Sequence, residues 1–180
     1  SGRIYKFFHG SNPVADITVL DNAAHDPESV LLHPNAWFAR RWLLGLKEGR
    51  PKDSGKTIRL CDGILNDSSK KGATRLRAMW GLHALGELKP EKYLKDSNEH
   101  VRTWAIRLLF NDQPMDGLFG PRGKDLPTGN ANLEKKLVAL AKNDDSGLVR
   151  LALASTLQRL PVLSRGNLAR ALASRVEDQA

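Results

Sequence analysis

The stretch that decides the fold is DSNEHVRTWAIRLL, residues 96–109, because it recurs as DDSGLVRLALASTL at residues 144–157. The two copies align residue for residue at an offset of 48 residues. In each copy an acidic turn precedes a Val-Arg pair, and apolar side chains then follow at intervals of three and four residues. That spacing predicts an amphipathic α-helix with one buried stripe. A looser copy, HPNAWFARRWLLGL at 33–46, has Asn35 as its predicted N-cap.

The segments between these copies supply partner helices. Residues 71–86, KGATRLRAMWGLHALG, are apolar on two faces and therefore need neighbours on both sides. Further helices are predicted at 56–67, 133–144 and 167–177. Residues 49–55 form a turn cluster, and residues 113–130, with three Pro and four Gly, form a long irregular insertion. The chain thus consists mainly of short helices joined by acidic turns.

Helices of this length that recur every 40–50 residues are typical of HEAT and armadillo solenoids. A single helix pair cannot bury its apolar face, so neighbouring pairs stack and share a core. We therefore expect an all-α fold, an α-α superhelix, over residues 26–180. Residues 1–10, SGRIYKFFHG, predict a strand without a visible partner, and 11–25 a connecting loop. Residues 1–25 thus form a short N-terminal extended segment and linker.

Composition excludes several classes. Of the 180 residues 41% are hydrophobic and 27% charged, which argues against intrinsic disorder. No apolar run approaches the roughly 18 residues of a membrane helix, so we expect no membrane insertion. Cys61 is the single cysteine, which excludes an intramolecular disulfide, a Cys-pair zinc site and a CxxCH haem attachment. The five histidines are scattered, and no catalytic, metal or cofactor motif is present. Neither catalytic residues nor cofactors are expected.

The acidic turns suggest a structural role for two arginines. Asp96 stands six residues before Arg102, and Asp145 five before Arg150. A carboxylate in the turn can pair bidentately with a guanidinium on the next turn of helix and can also cap free N–H groups. Repeated pairs of this kind predict a ladder that sets the rotation between repeats. The functional alternative is that both arginines bind an anionic ligand.

The formal net charge of +8 draws attention to nucleic acid as a partner. Acidic residues interleave with the basic ones, however, as on a solvated helical surface. The densest basic cluster is Lys70, Lys71, Arg75 and Arg77, and Trp37 is the tryptophan most expected to be exposed. These five residues form the candidate interaction surface.

The strings HPNAWFARR, RLRAMWGLHALGEL, DSNEHVRTWAIRLL and LVRLALASTLQRLP resemble the HEAT-repeat region of large bacterial multidomain proteins. Those proteins join a β-propeller of the sorbosone or glucose dehydrogenase type to helical repeats and a C-terminal c-type haem domain. GRIYKFFHG also resembles the closing strand of such a propeller. The resemblance implies an exported or periplasmic setting and the role of a spacer and docking surface. It implies neither dehydrogenase nor haem function for any residue here.

Two function classes follow. The first is a non-catalytic scaffold that mediates contacts with proteins or with neighbouring domains of a larger dehydrogenase- or cytochrome-like protein. The second is a nucleic-acid-binding HEAT-like protein, similar to the HEAT-like DNA glycosylases, that uses a basic face.

Overall fold

The computed structural model describes residues 18–23, 25–49, 54–117 and 130–175, and regular structure there is helical. The all-α class is therefore confirmed. The nine α-helices of the described residues are α1 (Thr18–Asp21), α2 (Pro27–Leu32), α3 (Ala36–Glu48), α4 (Ser54–Asn66), α5 (Gly72–Ala84), α6 (Glu99–Leu109), α7 (Ala131–Asn143), α8 (Gly147–Thr156) and α9 (Val162–Ala173). Two short 3-10 helices, Pro90–Tyr93 and Leu157–Arg159, accompany them.

Side-chain caps define where the helices begin. Asn35 is the N-cap of α3, as predicted, and its Oδ1 accepts the Trp37 N–H at 2.9 Å. Asn98 caps α6 by accepting the N–H groups of His100 and Val101. Caps of this type satisfy backbone donors that the helix leaves unpaired.

Helix α5 ends at a glycine for a backbone reason. Gly86 has φ 76°, in the left-handed region that a side chain disfavours. The Gly86 N–H donates to the His83 carbonyl, and the Glu87 N–H donates to the Leu82 carbonyl at 2.9 Å. This pair of bonds is a Schellman motif, which closes the helix and turns the chain away.

Four helices pack in a row: α3 lies against α5, α5 against α6, and α6 against α8. Each of the last three also packs on a partner outside the row. Helix α4 lies on α5, the 3-10 helix Pro90–Tyr93 on α6, and α7 on α8, while α9 packs mainly on α7. One hydrophobic cluster runs through all of them, from Ala23 to Ala171. Helix α5 has neighbours on several sides, which accounts for its two apolar faces.

Three helices approach one another closely at Gly81 of α5. A Cβ atom there would lie 3.0 Å from Cys61 Sγ of α4 and 3.5 Å from the Trp42 ring of α3. Cys61 is fully buried and Trp42 is 8% exposed, so neither has space to retreat. The missing side chain lets three helices meet at one point.

The largest differences from the sequence predictions concern α1, α2 and α9. Helix α1 lies inside the segment predicted as a linker, α2 precedes the first predicted helix, and α9 spans Val162–Ala173 rather than residues 167–177. Pro161 is the N-cap of α9, and a proline there fits because a helix start needs no N–H from it. The predicted strand at 1–10 and residues 118–129 of the predicted insertion lie outside the described residues.

The four tryptophans differ in how deeply they are buried. Trp42 is buried, whereas Trp37 is 50% exposed. Trp80 and Trp104 are half-buried and meet edge to face, with ring centroids 4.9 Å apart. They therefore line the boundary between α5 and α6 rather than its interior.

We predict that Gly81→Val lowers the free energy of unfolding by about 2 kcal/mol, because overpacking a filled core costs that order. Gly63→Val on α4 is the matched control, since an added Cβ there meets nothing within 4 Å. Valine also has the better helix propensity, so the control should lose no stability. Urea unfolding of the two variants measures the difference. Equal midpoints would show that the three helices do not meet closely at Gly81.

Candidate interaction site

An arginine occupies the same position in three successive helices of the row. Arg75, Arg102 and Arg150 each stand four residues after the N-cap of their helix. Side chains on a helix point back toward its N-terminus, so these guanidinium groups return to the turn from which the helix starts. The position therefore brings a cation to the place where each turn holds a carboxylate or free carbonyls.

The first of these arginines joins α5 to the turn before α6. Arg75 Nη1 donates to Asp96 Oδ1 at 2.9 Å, and Nη2 donates to Asp96 Oδ2 at 2.5 Å. Its Nε donates to the Leu65 carbonyl at the end of α4. Asp96 in turn accepts the Asn98 N–H, so one carboxylate both pairs with Arg75 and orders the start of α6. Only 4% of the Arg75 side chain and 12% of the Asp96 side chain are exposed.

The second arginine repeats the arrangement one step further along. Arg102 Nε and Nη2 donate to the two carboxylate oxygens of Asp144, both at 2.8 Å. Asp144 accepts the Ser146 N–H at 3.0 Å, as Asp96 accepts that of Asn98. Ser146 Oγ also donates to Glu99 of α6. The turn before α8 is thus attached to α6 by two side-chain contacts.

These pairs correct the partners predicted from sequence. Arg102 does not pair with the Asp96 carboxylate; its Nη1 donates to the Asp96 main-chain carbonyl at 2.7 Å. Arg150 Nη1 donates in the same way to the carbonyl of Asp144 at 2.8 Å. Asp145 is exposed, and the buried Asp144 is the ladder carboxylate instead. Each carboxylate pairs with an arginine of another helix, while the arginine of the helix that follows it donates from Nη1 to the main-chain carbonyl of the same aspartate.

A further pair joins α9 to the loop after α6. Arg165 also stands four residues after an N-cap, here Pro161. Its Nη1 and Nη2 donate to the carboxylate of Asp116 at 2.6 and 2.9 Å, and its Nε donates to the Leu160 carbonyl. The Asp116 N–H donates to the Gln158 carbonyl. These bonds attach the first residues of the predicted insertion to the helical body.

The ladder carboxylates are stabilised in their charged form. Burial by itself would raise the pKa of Asp144, but hydrogen bonds from Arg102 and the Ser146 N–H outweigh it and leave the pKa below its ordinary value. Burial would also raise the pKa of Asp96, but hydrogen bonds from Arg75 and the Asn98 N–H outweigh this effect and lower the pKa. The hydrogen bond with Asp144 raises the pKa of Arg102. The pairs are therefore ionised near neutral pH.

The predicted interaction surface separates into exposed and internal residues. Trp37, Lys70 and Lys71 are exposed. Arg75 is only 3% exposed and is not a surface residue, because Asp96 and the Leu65 carbonyl hold it inside. Arg77 is half-buried, and its Nη1 donates to the carbonyls of Leu31 and His33. The structure thus does not bring the four basic residues together as one patch.

The titratable groups suited to chemistry are few in the part of the chain that the structure describes. Cys61 is fully buried, and burial raises its thiol pKa to about 12. Within the described residues, no group of three or more His, Cys, Asp or Glu side chains could hold a metal ion. None of the helices described there has the length and apolar character to cross a membrane.

Sequence reasoning missed Asp144, the ladder role of Arg75 and the Arg165–Asp116 pair. The first two had a signal. The alignment at an offset of 48 residues places Asp144, not Asp145, over Asp96. Arg75 stands four residues after Lys71, the first residue of the helix predicted at 71–86, and this early position on its helix is the one that Arg102 shares. The third had none, because Asp116 lies in an irregular segment 49 residues from its partner.

No protein-family model matches the chain, and no solved structure matches it.

We predict that Arg102→Met lowers the free energy of unfolding by about 3 kcal/mol, because it leaves the buried Asp144 carboxylate without its counter-charge. Adding Asp144→Asn should recover part of the loss, since the amide oxygen still accepts the Ser146 N–H and carries no charge. The control is Arg40→Met, at an exposed position of α3, which should cost less than about 0.5 kcal/mol. Urea unfolding measures all three; a cost for Arg102→Met no larger than the control would contradict the buried pair.

We also predict a specific acid dependence. A carboxylate whose folded pKa is depressed stabilises the fold above its unfolded pKa, about 3.9 for aspartate, and this contribution is lost as pH falls through the lower folded pKa. The difference in unfolding free energy between wild type and Asp96→Asn should therefore be largest at neutral pH and shrink below about pH 4. Asp145→Asn, at an exposed aspartate, is the control. A difference that stays constant from pH 7 to pH 2.5 would contradict the assignment.

Proposed function

We propose that the chain is a HEAT- or armadillo-like superhelix that serves as a non-catalytic scaffold. It mediates protein–protein or domain–domain contacts within a larger dehydrogenase- or cytochrome-like protein. The observation that carries the proposal is the recurrence of one ion pair. An arginine four residues after the N-cap of its helix binds the carboxylate in the turn before the next helix of the row, at Arg75–Asp96 and again at Arg102–Asp144.

A bond that recurs with the repeat supports a repeat architecture. Stacked repeats contact mainly their neighbours, so the rotation from one unit to the next is set at each junction. Bidentate guanidinium–carboxylate geometry fixes that rotation more narrowly than apolar packing, which has no preferred direction. The resulting body is an extended frame with a defined surface, which suits a role in holding other domains.

The exposed apolar side chains favour contact with protein. Trp37 is 50% exposed, and Leu44, seven residues later on the same face of α3, is 43% exposed. Leu148 and Leu151 of α8 are exposed in the same manner, and Leu163 at the start of α9 is 99% exposed. Apolar residues grouped on helix faces are typical of interaction surfaces, whereas single ones are ordinary. Both ends of the helical row therefore carry apolar groups that a neighbouring domain could cover.

The scaffold is tested by hydrogen–deuterium exchange. The full product of the gene and the isolated 180-residue chain are compared at the amides of α3 and α8. We expect slower exchange in the full product at the helices that carry Trp37, Leu44, Leu148 and Leu151, because neighbouring domains cover them. Helix α4, whose exposed face carries Lys56 and Arg59, is the internal control. Identical exchange over every helix in the two samples would contradict the scaffold.

Nucleic-acid binding is the second candidate, and the exposure of Lys70 and Lys71 at the start of α5 favours it. Lysines near a helix N-terminus can contact phosphate together with free backbone N–H groups. Against it, Arg75 and Arg77 are committed to internal partners. Binding to duplex DNA that falls steeply with salt and is lost in Lys70→Glu/Lys71→Glu would favour this candidate over the scaffold.

A further inference from the structure

The strongest unassigned feature is a groove beside the ladder. It has a volume of about 710 Å³ and lies between the 3-10 helix Pro90–Tyr93 and α7. The groove exists because that 3-10 helix has only 4 residues, whereas α4 and α7 have 13 each. A single turn cannot cover the flank of α7, which is left open along Lys135, Ala139 and Asn143.

Apolar residues and a neutralised ion pair form the inside of this groove. Leu94, Ala139 and Leu140 line it, and Leu94 is 2% exposed. Arg102 and Asp144 also line it, but they hold each other bidentately. Four guanidinium donor bonds are accounted for, two to the Asp144 carboxylate and two from Nη1 to main-chain oxygens. A ligand would therefore meet an apolar surface flanked by groups that are already paired.

The rim of the groove carries positive charge that the described part of the chain leaves uncompensated. Five basic and three acidic side chains line the groove. Lys136 pairs with Glu91 at 2.9 Å, and Lys92 lies over the Tyr93 ring at 5.4 Å from its centroid. Lys95 and Lys135 are exposed on opposite walls, and neither forms an ion pair with the described residues. An acidic ligand with an apolar side matches both the rim and the floor.

We propose that this groove binds an acidic amphipathic helical peptide, presented by a partner protein or a neighbouring domain. The peptide occupies the place beside α7 that the short 3-10 helix leaves open, with its apolar side on the solvent-accessible Ala139 and Leu140 and its carboxylates near Lys95 and Lys135. Helix-in-groove recognition uses apolar anchors at intervals of three and four residues, and complementary rim charge sets its orientation. The proposal rests on the scaffold function and names the chemistry of one partner.

A peptide fits these observations better than nucleic acid. Glu91, Asp96 and Asp144 are each paired with a cation, so the unpaired positive charge sits on separate lysines rather than on the continuous basic groove that tracks a phosphate backbone. Base stacking needs an accessible aromatic ring, and the nearby Tyr93 is only 5% exposed. Discrete lysines over an apolar floor suit carboxylates carried by a helix.

The test uses the whole 180-residue chain and a fluorescein-labelled 18-residue model peptide. The peptide has leucines at helical spacing on one face and glutamates elsewhere, and anisotropy is read at low and high salt. Comparison probes are the same peptide with lysine for glutamate, the glutamate peptide with alanine for leucine, and a 20-bp DNA duplex. Lys95→Glu/Lys135→Glu removes the rim charge. Arg40→Glu/Arg59→Glu is the matched control, with the same change of net charge at exposed positions of α3 and α4.

We expect the acidic leucine peptide to bind wild type and the matched control within twofold of each other. The groove variant should bind it at least about tenfold more weakly, because two attractive charges become repulsive. The lysine and alanine peptides should bind weakly. Saturable binding should shift the methyl NMR signals of Leu94, Ala139 and Leu140, which no general charge effect would select.

Three results would overturn the groove. They are the absence of saturable binding, equal weakening in the groove variant and its control, or a DNA duplex that binds more tightly than the peptide and through the same lysines. Failure here is distinct from failure of the scaffold. If exchange is slower in the full gene product but no peptide binds, only the proposal for the groove is contradicted. If the peptide binds but exchange is unchanged, only the scaffold proposal is contradicted.

Discussion

The bidentate pairing of Arg102 with Asp144 is the interaction on which the placement of successive helices depends. Apolar contacts hold α6 and α8 together, but they are non-directional and would tolerate sliding. The ion pair resists sliding, because Nε and Nη2 of Arg102 each donate to a different carboxylate oxygen of Asp144 at 2.8 Å. The same carboxylate fixes the Ser146 N–H at the start of α8. Since a buried pair gives little net stability against an apolar substitute, its main effect is to select one arrangement.

Because the ladder occupies several arginines inside the fold, the net charge is a poor measure of the positive charge at the surface. Arg75, Arg102 and Arg165 are consumed by carboxylates, and Arg77 and Arg159 donate to main-chain carbonyls. Arginine suits these internal positions, because its planar group serves several oxygens and is weakly hydrated. The groove rim and the start of α5, by contrast, expose lysines, whose charge is compact and mobile. A count of basic residues therefore overstates the surface available to a polyanion.

Sequence predicted the parts that depend on local chemistry. The repeated stripes predicted α6 and α8, and Asn35 is the N-cap of α3, as predicted. The ion pairs were harder, because their partners lie 21 and 42 residues apart. A turn carboxylate six residues before an arginine looks like its partner. In the folded chain, Nη1 of Arg102 donates to the main-chain carbonyl of Asp96. Its Nε and Nη2 pair instead with the carboxylate of Asp144, in the turn before α8.

The groove could not be predicted from periodicity, because it results from an element that is too short. Residues 90–93 break the alternation of long helices, and their four residues are too few to show a helical period in the sequence. The groove forms when α7 packs beside this 3-10 helix, because a single turn covers less of α7 than a longer helix would. One wall of the opening includes Arg102 and Asp144, the pair that aligns α6 with α8. A site whose walls are fixed in this way loses little conformational freedom on binding, which favours recognition of one helix geometry over others.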